Sequence, residues 1–281
     1  MTELPTLAVT GSTGALGGLV ARDLAARGVP QRLLVRRPER APDLPGVAVV
    51  RAPYGDAEAC RAALDGVRTL LMVSAAESAD RLEQHLTFVA AAAAAGVEHV
   101  VYTSFAGAAP DAVFTLARDH HATERALRAA VPSWTFLRDS FYLDVFPLFV
   151  GEDGVLRGPA GTGRVAAVAR EDVARAAVAV LTDPGAHRNR TYELTGPQAL
   201  TLDEIAATVA QATGRDVRFH DETLEEAYAS RARWNAPRWQ QDAWVSTYTS
   251  IASGEVARVT DDVTRLTGRR PLSLRELLER S

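Results

Sequence analysis

The chain has 281 residues, 47% of them hydrophobic and 23% charged, which is enough to bury a sizeable core. A net charge of -4 gives no footing for nucleic acid or an anionic membrane. The lone Cys60 excludes an internal disulfide framework, no apolar run reaches membrane-spanning length, and the N-terminus lacks a signal peptide's basic start and apolar core, so the expectation is a cytoplasmic protein.

In chain order, the first half alternates β-type runs with helical patterns. The runs are "TLAVTG" (6–11), "QRLLVR" (31–36), "VAVVRA" (47–52), "TLLMVSA" (69–75), "HVVYTS" (99–104) and "WTFLR" (134–138). Several are apolar on both faces, as strands covered on both sides must be. Helical stretches lie between them, and Gly28, Gly66 and Gly96 close three of these where a left-handed residue is wanted. The alternation predicts an α/β fold with a doubly wound parallel sheet. Further on, "GTGRVAAVAREDVARAAVAVLTDPG" reads as a strand and then a helix, "NRTYELTGP" and "DVRFH" as short strands, and "TLDEIAATVAQATGR" as a helix with a Thr201–Glu204 capping box. Residues 221–281 look mostly helical. The expected organisation is a dinucleotide-binding domain over 1–150, its sheet completed within 151–200, and a C-terminal part, 151–281, that includes a smaller, mostly helical substrate lobe.

The strongest motif is "VTGSTGALGG". Gly11, Gly14 and Gly17 follow the first strand and open a helix. The turn must be tight, a pyrophosphate must approach without Cβ atoms in its way, and the helix N-terminus offers unpaired N–H groups. Glycines at such a turn are also ordinary turn chemistry, but the strand–helix context favours a dinucleotide site. Thr13, Ala15 and Leu16 of the same turn are cofactor-contact candidates, with Ser74 and Thr103 at the ends of the fourth and fifth strands. At the end of the second strand, where an acid would bind a ribose hydroxyl, stand Arg36 and Arg37. A guanidinium there suits a 2′-phosphate and hence NADPH; two solvated surface arginines are the alternative. Asp56 reads either as an adenine contact or as an N-cap.

Together with "LVRRPER", "YGD", "AAAAAGVEHVVYTSFAGA", "TERAL", "WTFLRDSFYLD" and "AREDVARAAVAVL", the loop resembles the atypical short-chain dehydrogenase/reductases of the NmrA-like type, above all the quinone-oxidoreductase-like members. The resemblance runs through nearly the whole chain. It implies a Rossmann domain, NADPH and a small substrate lobe, without fixing one activity, since the family includes both reductases and non-catalytic redox-sensing regulators.

One departure is informative. Ordinary short-chain reductases use a Tyr and, four residues later, a Lys. This chain has no lysine at all, its 31 basic residues being arginine, and no tyrosine in 103–141. Aligned on Glu124, the lysine's place falls on His120 and the tyrosine's on Leu116. His120 is therefore a candidate for a ribose contact or a proton donor, with Ser104 a possible second contact. His121 points elsewhere on its helix. No histidine pair has metal-ligand spacing, so no metal is expected.

Hydride delivery to a ketone creates an alkoxide, whereas delivery to a quinone or conjugated acceptor leaves a phenolate-like anion. The difference is roughly 6 pKa units, or about 8 kcal/mol. A reductase without the dyad should therefore favour a quinone-like or conjugated, aromatic (polyketide-like) acceptor. Phe141, Tyr142, Asp139 and Trp234 are the candidate substrate contacts, drawn from two aromatic-rich segments. The expected partner is an aromatic or quinone-like small molecule. A non-catalytic NADP(H)-binding regulator and a redox-neutral epimerase or cyclase are the alternatives.

Overall fold

The computed structural model describes residues Leu4–Arg280. In chain order the elements are β1 (Leu7–Thr10), α1 (Ala15–Ala26), β2 (Gln31–Val35), β3 (Val47–Arg51), α2 (Ala57–Ala63), β4 (Thr69–Met72), α3 (Arg81–Ala94), β5 (His99–Phe105), α4 (Thr115–Ala130), β6 (Ser133–Asp139), β7 (Val155–Gly158), α5 (Arg170–Thr182), β8 (Arg190–Leu194), α6 (Leu202–Thr213), β9 (Arg218–Asp221), α7 (Leu224–Arg231), α8 (Arg238–Ser253), α9 (Asp262–Thr267) and α10 (Leu274–Leu278). They fall into two compact units interleaved along the chain. Unit 1 takes the chain up to Ser104, then Asp119–Arg138 and Val173–Tyr192; unit 2 takes Phe105–Arg118, Asp139–Asp172 and Glu193 onward.

Unit 1 carries a seven-stranded sheet of order β3-β2-β1-β4-β5-β6-β8. The pairs β1–β2, β1–β4, β2–β3 and β4–β5 are parallel. The order reverses at β1, with β2 on one side and β4 on the other, which makes the switch-point crevice of a doubly wound fold. β2 and β5 are buried at every residue, as strands with helices on both faces require. Ala8, Leu34, Leu70, Met72, Phe88, Val100, Tyr102, Leu127 and Phe136 form one continuous core on one side of the sheet. The glycines expected to close helices, Gly28, Gly66 and Gly96, are all left-handed.

Unit 2 is mostly helical and holds a two-stranded parallel sheet, β7–β9, in which Val155 pairs with Arg218. Helix α6 begins with the expected capping box, in which Thr201 Oγ1 accepts from Glu204 N and the Glu204 carboxylate accepts from Thr201 N. The same device starts α7 (Thr223, Glu226) and α10 (Ser273, Glu276). Leu156, Val165, Leu202, Ile205, Tyr248 and Ile251 are among the residues of its core.

One expectation fails. The "GTGRVAAVA" segment starts in a turn, and its buried part, 165–169, is not a strand, because its backbone bonds are shared among three neighbours. Val165 N donates to Leu200 O, Ala166 N to Val256 O, and Val168 N to Phe141 O. The strand actually formed nearby, β7, lies between glycines, which hid its pattern.

Candidate active site

The loop between β1 and α1 is shaped by its glycines. Gly11 has φ +67°, which disfavours any other residue, and a Cβ there would meet Val73 Cβ at 2.9 Å. At Gly17 a Cβ would lie 2.4 Å from the Gly11 carbonyl oxygen, so only glycine lets α1 start this close to the strand. Gly14 is the N-cap of α1 and supplies no side-chain acceptor. The first-turn N–H groups of Ala15, Leu16 and Gly17 therefore have no intrahelical partner. Ser12 is buried, and its hydroxyl has no hydrogen-bond partner among the described residues. Unpaired N–H groups, a positive helix end and an orphaned hydroxyl fit an incoming pyrophosphate. Thr13 is exposed on the same turn. Arg36 and Arg37 follow β2, both exposed and without an ion pair among the described residues. Asp56 caps α2: Oδ1 accepts from Ala59 N at 3.0 Å, and Oδ2 lies 3.7 Å from Arg51.

Also within unit 1, the segment after β4 is held by side chains. Ser74 N donates to Thr103 Oγ1, and Ala75 N donates to His85 Nε2 at 2.8 Å. The Ala75 carbonyl accepts from Arg81 Nε. Arg81 is buried, and it pairs with Asp119 at 3.0 Å and with His120 Nε2 at 2.9 Å. An arginine only donates, so His120 Nε2 accepts, and Nδ1–H donates to the Tyr102 hydroxyl at 2.9 Å. His120 is 6% exposed, and burial together with the Arg81 charge pushes its pKa well below the ordinary histidine value. It is a neutral ring with both nitrogens engaged, and it has no proton to give near neutral pH. The residue expected as a ribose contact or proton donor thus sits between Arg81 and Tyr102. His121, one position on, is half-buried.

Ser104 is also engaged. Its hydroxyl donates to Glu124 Oε1 at 2.7 Å. Glu124 is fully buried and is gripped by Arg138 through Nε and Nη2, each at 2.8 Å, with Arg128 at 3.2 Å. Arg81, Tyr102 and this arginine pair were not foreseen: nothing in a sequence marks which arginines of an arginine-rich chain will be buried.

Unit 2 brings together three of the four candidate substrate residues. Phe141 packs against Phe105 and Phe114, with ring centroids 4.9 and 5.1 Å away. Asp139 ends β6, and its Oδ2 lies 2.9 Å from the hydroxyl of Tyr142. Trp234 stands apart from these. It is 54% exposed and lines a cavity of about 1040 Å³ with Phe149, Trp244 and Tyr248. No group of His, Cys, Asp and Glu able to hold a metal occurs among the described residues.

Comparison with known proteins places this geometry in a family. An NAD(P)H-binding family model matches residues 11–184. An NAD(P)H azoreductase from Xenophilus azovorans is 32% identical, covering 93% of this chain and 92% of that protein. An NmrA-like family domain-containing oxidoreductase from Aspergillus flavus is 29% identical, covering 95% of this chain and 92% of that protein. The crystal structure of an NADPH-dependent quinone oxidoreductase from Escherichia coli, complexed with NADPH, is 31% identical with a TM-score of 0.89 and covers 98% of this chain and 99% of that one. With the phosphate loop, the uncapped helix and the doubly wound sheet in place, the chain belongs to the NmrA-like, NAD(P)H-binding group of atypical short-chain dehydrogenase/reductases and is an NADPH-dependent oxidoreductase.

Proposed function

We propose that the protein reduces a quinone-like or conjugated aromatic acceptor. The observation that carries this reading is the missing Tyr–Lys dyad: the chain has no lysine, and His120, in the lysine's place, is a buried neutral ring. NADPH, when bound, supplies a hydride. The loop glycines and the first-turn N–H groups of α1, with Thr13 and Ser12, receive its pyrophosphate; Arg36 and Arg37 meet its 2′-phosphate. Ser74 and Thr103 shape the far end of the cleft, and Asp56 serves as the cap of α2. His120 acts as a positioning residue, holding Arg81 and through it the Ala75 carbonyl. Without a strong proton source, an acceptor whose reduced form is a phenolate-like anion avoids about 8 kcal/mol of the proton-donor burden of a ketone. Phe141, half-buried and backed by Phe105 and Phe114, is the ring we assign to the acceptor. The relatives named as an azoreductase and a quinone oxidoreductase are in keeping with this.

The test is NADPH oxidation, followed by its absorbance, with a naphthoquinone, an azo dye and a simple cyclic ketone. Turnover of the quinone or dye with a silent ketone is the expected result. Efficient ketone reduction without either of the others would sink the reading.

A further inference from the structure

Beyond Met72 the chain leaves the sheet, and the backbone groups of the next three residues have no strand to pair with. Side chains of unit 1 take them instead. Val73 N donates to Thr10 Oγ1, Ser74 N to Thr103 Oγ1 and Ala75 N to His85 Nε2. The Val73 carbonyl accepts from the Tyr54 hydroxyl, and the Ala75 carbonyl from Arg81 Nε. Val73 also packs against the phosphate loop, since a Cβ on Gly11 would meet its side chain. The segment thus borders the crevice between β1 and β4, where a doubly wound sheet takes its ligand. Within it, the Ser74 carbonyl and hydroxyl have no hydrogen-bond partner among the described residues. The grip on Ala75 closes on itself. His85 is fully buried, and with Nε2 accepting, its ring proton sits on Nδ1 and goes to Thr123 Oγ1 at 2.9 Å. Thr123 donates in turn to the Asp119 carbonyl at 2.7 Å. The Asp119 carboxylate holds Arg81 at 3.0 Å, and Arg81 returns to the Ala75 carbonyl. Only the neutral imidazole can both accept and donate in this ring, and burial keeps it neutral.

We propose that His85 is a positioning residue for the cofactor: by accepting the Ala75 N–H, it holds the Ser74 carbonyl and hydroxyl ready for a ribose hydroxyl of NADPH. This rests on the cofactor reading of the phosphate loop and is independent of which acceptor is reduced. Backbone groups that the protein satisfies itself are withdrawn from a ligand, so what the segment offers is Ser74. Its carbonyl only accepts, and its hydroxyl accepts or donates. A carbonyl oxygen repels a phosphate oxygen, whereas a sugar hydroxyl can donate to it, so the complement of Ser74 is the ribose and not the pyrophosphate. The closed ring through His85, Thr123, Asp119 and Arg81 ties the segment to α3 and α4. The entropy of ordering it is therefore lost on folding and not again on binding, which is how a fixed loop raises affinity.

The test uses the full chain with His85→Ala, His85→Gln and, as a matched control, His99→Ala. His99 is also buried in unit 1, but its ring bonds to Thr135 and Ser133 and not to the segment after β4. NADPH affinity is read by fluorescence titration, without turnover, and amide hydrogen exchange is followed over residues 73–76. In the unliganded wild type these amides exchange slowly, and NADPH slows them further. His85→Ala makes them exchange fast when unliganded and weakens NADPH about tenfold, the order of the cost of ordering one freed backbone residue on binding. His85→Gln, whose amide oxygen reaches the place of Nε2, recovers most of that loss. His99→Ala lowers the thermal midpoint and leaves NADPH affinity near wild type. The inference is overturned by an unchanged affinity in His85→Ala, by an equal loss in His99→Ala, by a His85→Gln as weak as His85→Ala, or by wild-type exchange over 73–76 that NADPH does not slow; the last measurement needs no variant to fold. Gly17→Ala separates it from the loop reading. NADPH binding that survives Gly17→Ala sinks the loop reading and this inference with it, whereas binding lost with Gly17→Ala and untouched by His85→Ala sinks the inference alone.

Discussion

At the scale of single residues, the cofactor loop depends on missing atoms more than on present ones. A Cβ at Gly17 would sit 2.4 Å from the Gly11 carbonyl oxygen, far inside contact distance, and the backbone cannot yield without moving α1 off β1. Gly17→Ala is therefore expected to abolish NADPH binding and lower the thermal midpoint; titration calorimetry with thermal unfolding checks both. Assigning Arg36 and Arg37 to the 2′-phosphate has a sharper consequence. Each charge-assisted bond lost contributes about 1.5–3 kcal/mol, or about ten- to 150-fold in affinity. Arg36→Ala and Arg37→Ala should weaken NADPH by that order and leave NADH nearly unchanged. Equal losses for both nucleotides would remove the arginines from the phosphate.

At the scale of elements, α4 is tied to the ends of β5 and β6 by one side chain. Glu124, fully buried, accepts from Ser104 and from both arms of the Arg138 fork. Removing it strips the Arg138 fork of the carboxylate it grips and Ser104 of its acceptor. Glu124→Ala is expected to cost about 3–5 kcal/mol in urea unfolding, with Glu124→Gln milder because its amide oxygen still accepts. The capping boxes of α6, α7 and α10 were legible in advance in one case of three. Thr201 and Glu204 precede an apolar periodic run, while α7 and α10 are short and their patterns offered no run to anchor on. The "GTGRVAAVA" segment shows the reverse error: its composition is that of a strand, but three different acceptors take its N–H groups.

For the whole molecule, stability should depend on pH through histidines that fold neutral. Burial, aided by Arg81, holds His85 at about 3. Burial, aided by Arg188, holds His99 at about 4. Unfolded, both titrate near 6.5. Folded values below unfolded ones mean that the stability is present above about 6.5 and is withdrawn as pH falls toward the folded values. The slope approaches about 1.4 kcal/mol per pH unit for each ring. Urea unfolding at pH 7 and pH 5 should show that loss, and His99→Gln should remove one ring's share of the slope. A pH-independent unfolding free energy over this range would contradict it. Asp139 works with the opposite sign: its raised carboxyl withdraws stability as pH climbs through its folded value.

The sequence by itself determined the doubly wound sheet, the phosphate loop and the cofactor class. Those rest on local signals: apolar runs of strand length, glycines at fixed offsets, and basic residues at the end of a strand. It also showed by composition that the Tyr–Lys dyad is absent. What the tertiary structure alone decided is which polar groups lose their water. His120 carries the same letter whether it faces a cofactor or is clamped between Arg81 and Tyr102, and Asp139 reads as a candidate substrate contact until burial and an orphaned oxygen single it out as a carboxyl whose charged form is disfavoured. Burial is set by contacts between segments far apart in the chain, and protonation state follows burial, so the chemistry of these side chains was not legible one residue at a time.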